Sequence, residues 1–426
     1  MIIGIDASRA NRERKSGTEW YSYYLIKNLA RIDKENKYIL YTDKPLTGGL
    51  LDLTKNDLEE GDGKPEYDLD GYQVIKSPYN NFKAKVLKWP FKNFWTLGRL
   101  SIEMFFKKPD MLFVPAHTLP LIKPDKTVNT IHDVAFKIDR DIYNKDRICS
   151  EMRWGKRLVD LLVRIFTKGE YGANSFDYLD WSTKHSLKHS DKIISVSEFT
   201  KNEILRIYKA DADKINVVYN GFNNFLYRPI EDKDKTDEVL DKYGITRPYI
   251  LNVGRLEKKK NSSLLIESYA KAKYFNKNIK EKLVLVGSAS YGYDDVKYMI
   301  EEFSLDDDVI MPGWIEEKDM PYIFSAATAF IFPTKHEGFG IPILQAMATG
   351  LPVACSNIPV LREVAGEAAL FFNNQSRDEM AKAIENAIKN EDLRQELIQK
   401  GLERSADFSW EKCAQETLRV LNSVKN

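Results

Sequence analysis

The stretch HEGFGIPILQAMATGLPVACS, His336 to Ser356, decides the fold of the second half of this chain. An apolar run that ends at Phe332 precedes it and predicts a buried strand. Gly340 lets the backbone turn, Pro342 suits the first turn of a helix, and Gly350 is a residue type that ends one. The order of strand, tight turn and helix is that of an α/β crossover.

The turn at the start of this helix has the composition of a phosphate-binding site. Backbone N–H groups in a first helical turn have no acceptor within the helix, and the helix dipole adds partial positive charge there. Glu337 stands beside this turn and can accept hydrogen bonds from hydroxyl groups. Sugar nucleotides carry both phosphates and hydroxyls, so the turn is interpreted as a site for them. The alternative is that its glycines and proline only mark a crossover.

A second segment, NVGRLEKKKN from Asn252 to Asn261, places two cations after another predicted strand. Arg255 can hold two phosphate oxygens with its planar guanidinium group, and Lys260 adds a compact charge on a flexible stem. Together they suit a diphosphate, on which negative charge grows as it leaves a sugar. The alternative is a solvated basic turn before a helix that Asn261 or Ser262 caps.

These two segments resemble motifs of the retaining glycosyltransferases of the glycogen-synthase-like group, family four, group one. The signature of that family is a glutamate and, after seven residues, a second glutamate; here the positions are Glu337 and Gln345. The resemblance runs along nearly the whole chain and is of the bacterial surface-polysaccharide, mannosyltransferase-like type. Five further segments stand in the family's order: SGTEWYSYYLIKNL from Ser16, TIHDVAF from Thr130, VSEFTKNEI from Val196, VVYNGF from Val217 and FSWEKCAQETL from Phe408.

The resemblance implies a role for each matching residue. Arg255 and Lys260 match the pyrophosphate-binding pair. Glu337 would bind hydroxyls of the donor sugar, and His132 would border that sugar from the first domain. These four are the predicted catalytic residues, although a strand-end histidine that caps backbone groups is the alternative for His132. His117 ranks below them as a candidate for acceptor contact.

A second group of residues is predicted to bind the donor. Gly17 lies in the segment that is similar to the first glycine loop of the family. Trp314 and Ile315 follow the end of a predicted strand and are candidates for the wall that contacts the nucleobase, with packing as the alternative. The predicted donor-binding residues are Gly17, Gly338, Phe339, Gly340, Ile341, Gln345, Trp314 and Ile315.

Gln345 departs from the family pattern. In relatives a carboxylate at this position accepts hydrogen bonds from both ribose hydroxyls, whereas an amide has one acceptor oxygen and two donors. The departure predicts weaker donor binding without loss of chemistry. The chain has no obvious covalent nucleophile, so the mechanism inherited from the family is same-face substitution with retention.

We predict neither a cofactor nor a metal. The substrate expected from the resemblance is a nucleotide-diphospho-sugar, with GDP-mannose favoured and a UDP-sugar as the other option. Two acidic clusters, Asp68 to Asp70 and Asp306 to Asp308, lie in polar connecting sequence and are interpreted as solvated turns rather than metal sites.

Chain length and strand pattern predict two α/β domains. A chain of 426 residues is too long for one core, and β-branched runs alternate with helical patterns, which is typical of parallel sheets. Neither half has a G-x-G-x-x-G motif after its first strand, which disfavours a nicotinamide or flavin enzyme. The predicted strands are Ile2–Ile5, Lys37–Tyr41, Met111–Val114, Thr127–Ile131, Lys192–Val196, Tyr249–Val253, Leu283–Val286, Val309–Met311, Ala329–Phe332, Val353–Ala354 and Ala369–Phe371.

The fold that the resemblance implies is the GT-B fold, in which two Rossmann-like domains face one another across a cleft. A polar, charged break follows Gly221 and predicts the domain boundary. We expect an acceptor-side domain at residues 1–225 and a donor-binding domain at 226–409. The last helix, at 410–426, should pack back on the first domain.

The charge distribution bears on whether the protein contacts a membrane. The net charge of +1 argues against a protein that wraps nucleic acid. Residues 83–108, however, carry seven bases against one acid, Glu103, interleaved with large aromatics. Such a segment is typical of peripheral contact with an anionic membrane. The alternative is that its aromatics are core and its lysines a solvated face.

The termini and cysteines predict a cytoplasmic protein, with any attachment peripheral on the inner face of the cytoplasmic membrane. No run approaches the roughly 20 apolar residues that a spanning helix needs. The first residues, MIIGIDASRA, lack a basic region before their short apolar run and are interpreted as a buried strand. Cys149, Cys355 and Cys413 are far apart, so we predict free thiols and no disulfide.

Residues 137–190 are longer than the family usually requires. Apolar residues at helical spacing from Val159 to Phe166, among arginines and lysines, predict a helix with a basic face. One hypothesis is that this insertion shapes the acceptor side. Deletion from Gly169 to Asp180 without loss of acceptor turnover would refute that hypothesis.

The predicted function is transfer of a hexose, mannose favoured, from a nucleotide-diphospho-sugar to a glycan or lipid-linked glycan acceptor in polysaccharide biosynthesis, such as that of lipopolysaccharide. A nucleotide-sugar epimerase of the same fold and a non-catalytic nucleotide-sugar-binding partner subunit are the alternatives. No nucleic acid partner is expected. The sequence leaves open the base, the sugar, the linkage, the acceptor and the oligomeric state.

Overall fold

Parallel strands form the centre of both halves of the chain. The computed structural model describes residues 1–55, 64–90, 94–139, 170–171 and 174–424. These residues divide into two units: Met1–Gly221 with Trp410–Asn426 form the first unit, and Phe222–Ser409 form the second unit. The division falls four residues before the boundary expected at residue 225.

The first unit contains a sheet of eight described strands in the order β3-β4-β2-β1-β5-β6-β7-β8. All neighbouring pairs are parallel except β3 and β4. The strands are β1 (Ile2–Asp6), β2 (Lys37–Thr42), β3 (Gln73–Val74), β4 (Phe82–Val86), β5 (Met111–Val114), β6 (Lys126–Ile131), β7 (Lys192–Ser195) and β8 (Ile215–Val217).

The described helices of the first unit include one from the end of the chain. They are α1 (Gly17–Ile32), α2 (Ser101–Phe106), α3 (Ala135–Ile138), α4 (Ser175–His189), α5 (Glu198–Tyr208) and, after the second unit, α14 (Trp410–Ser423). The central strand β5 is buried along its whole length, as its continuous apolar sequence predicts for a parallel sheet with covered faces. Tyr24 of α1 stacks on Trp410 of α14 with ring centroids 5.5 Å apart.

The second unit contains a sheet of six described strands, all parallel, in the order β11-β10-β9-β12-β13-β14. The strands are β9 (Tyr249–Val253), β10 (Lys282–Val286), β11 (Val309–Gly313), β12 (Ala329–Phe332), β13 (Val353–Ser356) and β14 (Leu370–Phe372). The helices are α6 (Lys233–Lys242), α7 (Ser262–Phe275), α8 (Tyr293–Glu302), α9 (Met320–Ala326), α10 (Ile341–Ala348), α11 (Pro359–Ala365), α12 (Arg377–Lys389) and α13 (Glu391–Ser405).

All eleven predicted strands are present, with ends that shift by at most two residues. The strands β3, β4 and β8 are not among the predicted ones. Two of these are only two or three residues long, and β4 carries two lysines, so their sequences have little of the apolar signal of the central strands.

The described part of residues 83–108 is divided between a strand, a buried core contact and an exposed helix face. Lys83 and Lys85 belong to β4, and Lys85 forms an ion pair with buried Glu103. Trp95 is buried in a core cluster with Leu100 and Met104, and its indole N–H donates to a backbone carbonyl. Core packing is therefore the right interpretation for Trp95. Residue Phe91 lies outside the described residues.

The end of the same segment is different. On α2, Phe105 is 65% exposed and Phe106 is 76% exposed, and Ile102 is also exposed. Leu121 and Ile122 are exposed as well, and the Leu121 amide donates to the hydroxyl of Ser101 on α2. These five side chains, Ile102, Phe105, Phe106, Leu121 and Ile122, are called the apolar patch below. Lys107 and Lys108 come directly after Phe106, the last residue of α2.

Two predictions about the insertion meet different outcomes. The predicted basic helix around residues 159–166 lies outside the described residues. The deletion from Gly169 to Asp180, in contrast, would remove the start of α4, where Phe176 is part of a core cluster and Asp180 forms an ion pair with Lys137. That deletion would damage the core of the first unit and cannot test an acceptor role.

Two of the three cysteines lie in the described part of the chain. Cys355 and Cys413 are free, buried thiols, whereas Cys149 lies outside the described residues. Within the part of the chain that the structure describes, no helix combines the length and the apolar character required to cross a bilayer.

Candidate functional site

The strand order of the second unit reverses between β9 and β12. From β9 the chain proceeds to β10 and β11 on one side, and later to β13 and β14 on the other. Ligands of open α/β sheets bind at the carboxyl ends of the strands where the order reverses, because the two outgoing loops separate there. Residues 254–261 follow β9 and residues 333–340 follow β12. Both sequence motifs therefore lie at the switch point of one sheet.

An ion pair joins the two loops. The ammonium group of Lys260 donates to the carboxylate of Glu337, and both side chains are mostly buried, with 18% and 13% of their surface exposed. The ammonium also lies 5.3 Å from the centre of the Phe332 ring. These contacts fix a cation and a carboxylate side by side at the strand ends. The cation can hold a phosphate oxygen and the carboxylate can accept from a hydroxyl, which is the mixed chemistry of a sugar phosphate.

Arg255 is the exposed member of the predicted cationic pair. Its side chain is 64% exposed, and its Nε lies 3.6 Å from an oxygen of Glu257. Glu257 itself accepts a hydrogen bond from the hydroxyl of Ser290. The guanidinium group is thus loosely held and can turn to an incoming anion.

The loop that carries Arg255 is fixed by a second loop, residues 287–292 after β10. Three backbone hydrogen bonds connect them, between Leu256 and Ser288, Ser290 and Leu256, and Lys258 and Tyr291, and a fourth joins Gly254 to Val286 at the end of β10. Gly287 lies at the closest approach: its φ is +147°, and a Cβ there would lie 2.0 Å from the Gly254 carbonyl oxygen. The sequence analysis did not identify this second loop, although the VGSASYG stretch after a predicted strand was a usable signal.

Asn374 fixes the loop after β12. Its side chain donates to the Thr334 carbonyl at 3.1 Å, and its own carbonyl accepts from the Asn261 side chain at 2.8 Å. The Lys335 amide and the Thr334 hydroxyl both donate to the Lys259 carbonyl. These bonds connect the ends of the two motif loops. Asn374 comes from a third loop, so neither motif contains a signal for it.

The predicted glycine turn is present at the start of α10. Gly340 has φ +113°, and a Cβ there would lie 2.8 Å from Leu361, so glycine is required. Among the described residues nothing accepts from the amides of Gly340 and Ile341, and Pro342 has no amide to offer. Gly338 lies in the same turn. The side chain of Phe339 packs in the core against Phe408, so only its backbone can take part in the turn.

The other predicted donor-binding residues of the second unit differ in exposure. Gln345 is half-buried on α10, one turn beyond the glycine turn. Trp314 follows β11 and is 41% exposed, whereas Ile315 is 5% exposed. Of this predicted pair, only Trp314 presents its side chain at the surface.

His132 lies at the end of β6 in the first unit. Its Nε2 lies 3.1 Å from the Pro115 carbonyl oxygen, and its ring meets Tyr21 edge-on with centroids 4.7 Å apart. Burial lowers the pKa of His132 to about 4, so the ring is neutral near pH 7. Because a carbonyl only accepts, Nε2 carries the proton and Nδ1 offers a lone pair. The backbone contact matches the alternative interpretation of this histidine, and it leaves Nδ1 for a ligand.

Gly17 is the first residue of α1. Its N-cap, Ser16, forms a capping box with Glu19. A Cβ at Gly17 would meet nothing within 4 Å, so the described protein itself does not require glycine here.

His117 lies after β5, and its Nε2 is buried without a hydrogen-bond partner among the described residues. Arg9, after β1, was not identified from the sequence; it follows the first strand in the stretch DASRANRERK, which offered no spacing signal.

The described residues contain no cluster of three or more His, Cys, Asp or Glu side chains arranged to hold a metal ion. The two acidic clusters lie in turns. Asp68 accepts from the backbone amides of Asp70 and Tyr72, and Asp308 forms an ion pair with Lys273.

Comparison with known proteins agrees with the two-unit organisation. The model of the family "Glycosyltransferase Family 4" matches residues 16–224, and that of "Glycosyl transferases group 1" matches residues 234–404. The chain is 30% identical to O-antigen chain mannosyltransferase B of Escherichia coli, over 61% of this chain and 68% of the relative. It is 27% identical to an O-antigen chain mannosyltransferase of Salmonella typhimurium, over 74% of this chain and 76% of the relative. Sucrose-phosphate synthase from Thermosynechococcus elongatus has a similar solved structure, with a TM-score of 0.69 and 18% identity, over 99% and 98% of the chains.

Proposed function

Because this chain belongs to the glycosyltransferases of group 1 and family 4 and has the GT-B fold, we propose that it transfers a hexose from a nucleotide-diphospho-sugar to a glycan or lipid-linked glycan acceptor. Mannose from a GDP-linked donor is the favoured substrate, since two similar proteins are O-antigen mannosyltransferases. The proposed setting is polysaccharide biosynthesis in the cytoplasm.

One observation carries this proposal: the ion pair of Lys260 and Glu337 at the switch point of the second sheet. Fixed cations beside a departing diphosphate stabilise the transition state most when they are already in position before reaction. Lys260 is fixed in this way, and Arg255 in the same loop can add a second, more mobile charge. Glu337 both orients Lys260 and offers an acceptor for a hydroxyl of the donor sugar.

The proposed reaction retains the anomeric configuration and needs no metal. The bond between the anomeric carbon and the diphosphate oxygen breaks, and the diphosphate keeps the electron pair. The acceptor hydroxyl oxygen bonds to the same face of the sugar, and its proton passes to the departing phosphate. NMR assignment of the product linkage tests retention. Turnover that is unchanged by EDTA supports metal independence, and turnover that Mg²⁺ restores after EDTA would contradict it.

The test of the overall function is acceptor-dependent release of nucleoside diphosphate across a panel of GDP- and UDP-linked hexoses. We expect release that requires both a donor and an acceptor. Conversion of the donor sugar without an acceptor would identify an epimerase, and donor binding without release would identify a non-catalytic subunit.

A pair of lysine variants gives this test its control. Lys260→Met should lower the turnover at least a hundredfold, because a fixed transition-state charge is lost. Lys400→Met removes a lysine of the same unit whose ion pair, with Glu396, is a surface pair along one helix. Turnover of Lys400→Met should be unchanged. Equal losses in both variants would contradict the assigned role of Lys260.

The apolar patch supports a peripheral membrane contact as part of the proposal. Its two phenylalanines are largely exposed beside Lys107 and Lys108, and apolar burial together with attraction to anionic headgroups is what holds a protein at a membrane interface. A lipid-linked acceptor would be reached from such a position.

Vesicle co-sedimentation with anionic and neutral lipid tests the membrane contact. Phe105→Ser with Phe106→Ser should abolish binding to anionic vesicles, and salt should weaken the binding of the unaltered protein. The matched control is Tyr274→Ser with Phe275→Ser, an adjacent pair in the second unit that is 70% and 75% exposed. Loss of binding in the control pair alone would place the contact on the other unit.

A further inference from the structure

Three loops of the first unit leave the sheet side by side. The strands β1, β5 and β6 are neighbours in the sheet, with Ile5 opposite Phe113 and Val114 opposite Asn129. All three are parallel, so the residues that follow them emerge at the same edge. Arg9 follows β1, His117 follows β5 and His132 follows β6. A cation and two imidazoles are therefore gathered at the strand ends where the sheet order reverses.

Within the described part of the chain, the Arg9 side chain makes one weak polar contact. Its Nη1 lies 3.5 Å from Glu19, at the outer limit of a hydrogen bond, and its side chain is 40% exposed. The Glu19 carboxylate is mainly engaged by Ser16, whose hydroxyl donates to it at 2.5 Å and whose amide donates at 3.2 Å. Among the described residues, the remaining N–H groups of Arg9 have no acceptor. The guanidinium group therefore has several donors available for a ligand.

His117 is fixed but its ring is unsatisfied. Its backbone carbonyl accepts from the Ser186 hydroxyl at 2.5 Å, which positions the residue. Its Nε2 is buried without a partner among the described residues, an arrangement that costs free energy unless a ligand completes it. Burial, followed by the positive charge of Arg9, lowers the pKa of His117 to about 3. Both imidazoles are thus neutral, and each can donate at one nitrogen and accept at the other.

The mixture of donors and acceptors selects the chemical class of the ligand. A phosphate group only accepts at neutral pH, so it would be repelled by the lone pair on Nδ1 of His132 and by the carboxylates of Glu19 and Asp133 nearby. A sugar hydroxyl both donates and accepts, and a pair of neighbouring hydroxyls matches a guanidinium group beside a neutral imidazole. An uncharged sugar ring is therefore the ligand that this edge fits.

We propose that Arg9 and His117 bind hydroxyl groups of the terminal, uncharged sugar of the acceptor and so determine acceptor specificity. This inference rests on the proposed function, because it assigns the acceptor side of the same transferase. Arg9 and His117 are positioning residues for the acceptor and have no role in holding the donor diphosphate.

Steady-state kinetics with each substrate varied in turn test the inference. Arg9→Lys keeps the charge but removes the planar fork, and His117→Phe keeps the ring shape but removes both nitrogens. Each should raise the acceptor KM at least tenfold and change the donor KM less than twofold. His117→Gln, whose amide can replace Nε2, should keep the acceptor KM within about threefold of the unaltered enzyme. Arg206→Lys, an exposed arginine of the same unit paired with Glu203, is the control and should change neither constant.

A direct binding measurement separates this inference from the proposed function. Saturation-transfer NMR with methyl glycosides of mannose, glucose, galactose and N-acetylglucosamine should detect binding to the unaltered protein and a marked loss with Arg9→Lys. A changed donor KM with an unchanged acceptor KM, or glycoside binding that is equal in both proteins, overturns the inference while leaving the transferase intact. If no pair of donor and acceptor gives turnover, the proposed function is wrong. The NMR measurement would still show whether the sheet edge that carries Arg9 and His117 binds sugars.

Discussion

At the scale of single residues, Arg255 and Lys260 form a chemically matched pair in unlike surroundings. Lys260 is enclosed by Glu337 and the Phe332 ring, whereas Arg255 extends into solvent beside Glu257. A substitution at the enclosed cation therefore acts on the fold as well as on the reaction. A substitution at the exposed cation acts on the reaction alone.

We predict that Arg255→Gln and Lys260→Gln both reduce kcat/KM at least a hundredfold but differ in stability. Loss of Lys260 leaves a mostly buried carboxylate without its partner, which should cost about 3 kcal/mol. Loss of Arg255 should cost less than about 0.5 kcal/mol, because an exposed pair contributes little. Urea denaturation checks the stabilities and donor-dependent kinetics check the activities. Equal destabilisation by the two substitutions would contradict this account.

The second prediction for a single residue concerns the effect of Gln345 on donor binding. Gln345→Glu should leave turnover intact and lower the donor KM, about two- to tenfold, because a carboxylate accepts from two ribose hydroxyls where the amide offers one oxygen. The measurement is the donor KM beside kcat, with the exposed Gln399→Glu on α13 as a control. A large fall in kcat would mean that the amide is specifically required.

At the scale of elements, the donor side depends on loops that fix one another. The loop after β9 lies against the loop after β10 through three backbone hydrogen bonds, and Asn374, after β14, bonds to both motif loops. The helix α10 contributes its start, while its apolar side packs in the core. The geometry of the cations is thus set by the contacts between loops more than by any one loop.

We predict that Gly287→Ala disturbs this assembly. A Cβ at this position meets the Gly254 carbonyl oxygen at 2.0 Å, so the backbone must shift, at a cost of about 3 kcal/mol. Nucleoside diphosphate affinity should fall at least tenfold, because the loop that carries Arg255 moves with Gly254. Calorimetry for both the melting temperature and the affinity provides the measurement.

Gly244→Ala is the matched control for that substitution. Gly244 also has positive φ, +64°, but a Cβ there meets nothing within 4 Å. The expected cost is about 1 kcal/mol from the backbone conformation alone, with nucleoside diphosphate affinity unchanged. If the two alanine variants behaved alike, close approach of the loops would not be the reason for Gly287.

At the scale of the whole molecule, the chain leaves its first unit and returns to it. The second unit, Phe222–Ser409, is inserted between α5–β8 and the last helix α14 of the first unit. Trp410 begins α14 and stacks on Tyr24, which in turn stacks on Trp20 with centroids 5.3 Å apart. The first unit is therefore completed only after the second has been synthesised.

We predict that Trp410→Ala destabilises the first unit by about 3 to 4 kcal/mol, as removal of a buried tryptophan does, and leaves the second unit unaffected. Hydrogen exchange followed by mass spectrometry should detect faster exchange in α1 and β1 and no change in β9 to β12. The exposed Tyr298 on α8 gives the control, because Tyr298→Ala should alter exchange in neither unit. Faster exchange in β9 to β12 would contradict the assignment of α14 to the first unit.

Much of the fold followed from local pattern. The eleven predicted strands are present because central parallel strands are continuous apolar runs bounded by turn residues, and such runs are visible in one sequence. The strand β4 was not predicted, since its lysines interrupt the apolar signal. For the related reason that composition does not reveal which side of a strand or helix is buried, the sequence left both interpretations of residues 83–108 open: Trp95 is core while Phe105 is exposed.

Residue type and spacing over short distances are enough to specify the two α/β units, the two motif loops and the chemical types of the groups at the candidate site. The pairing of Lys260 with Glu337, the bonds of Asn374 to both motif loops and the common sheet edge of Arg9 and His117 depend instead on the folded chain. Each of these contacts joins residues that the strand order brings together from distant parts of the chain. Strand order is set by the packing of whole elements, which no local stretch of sequence encodes.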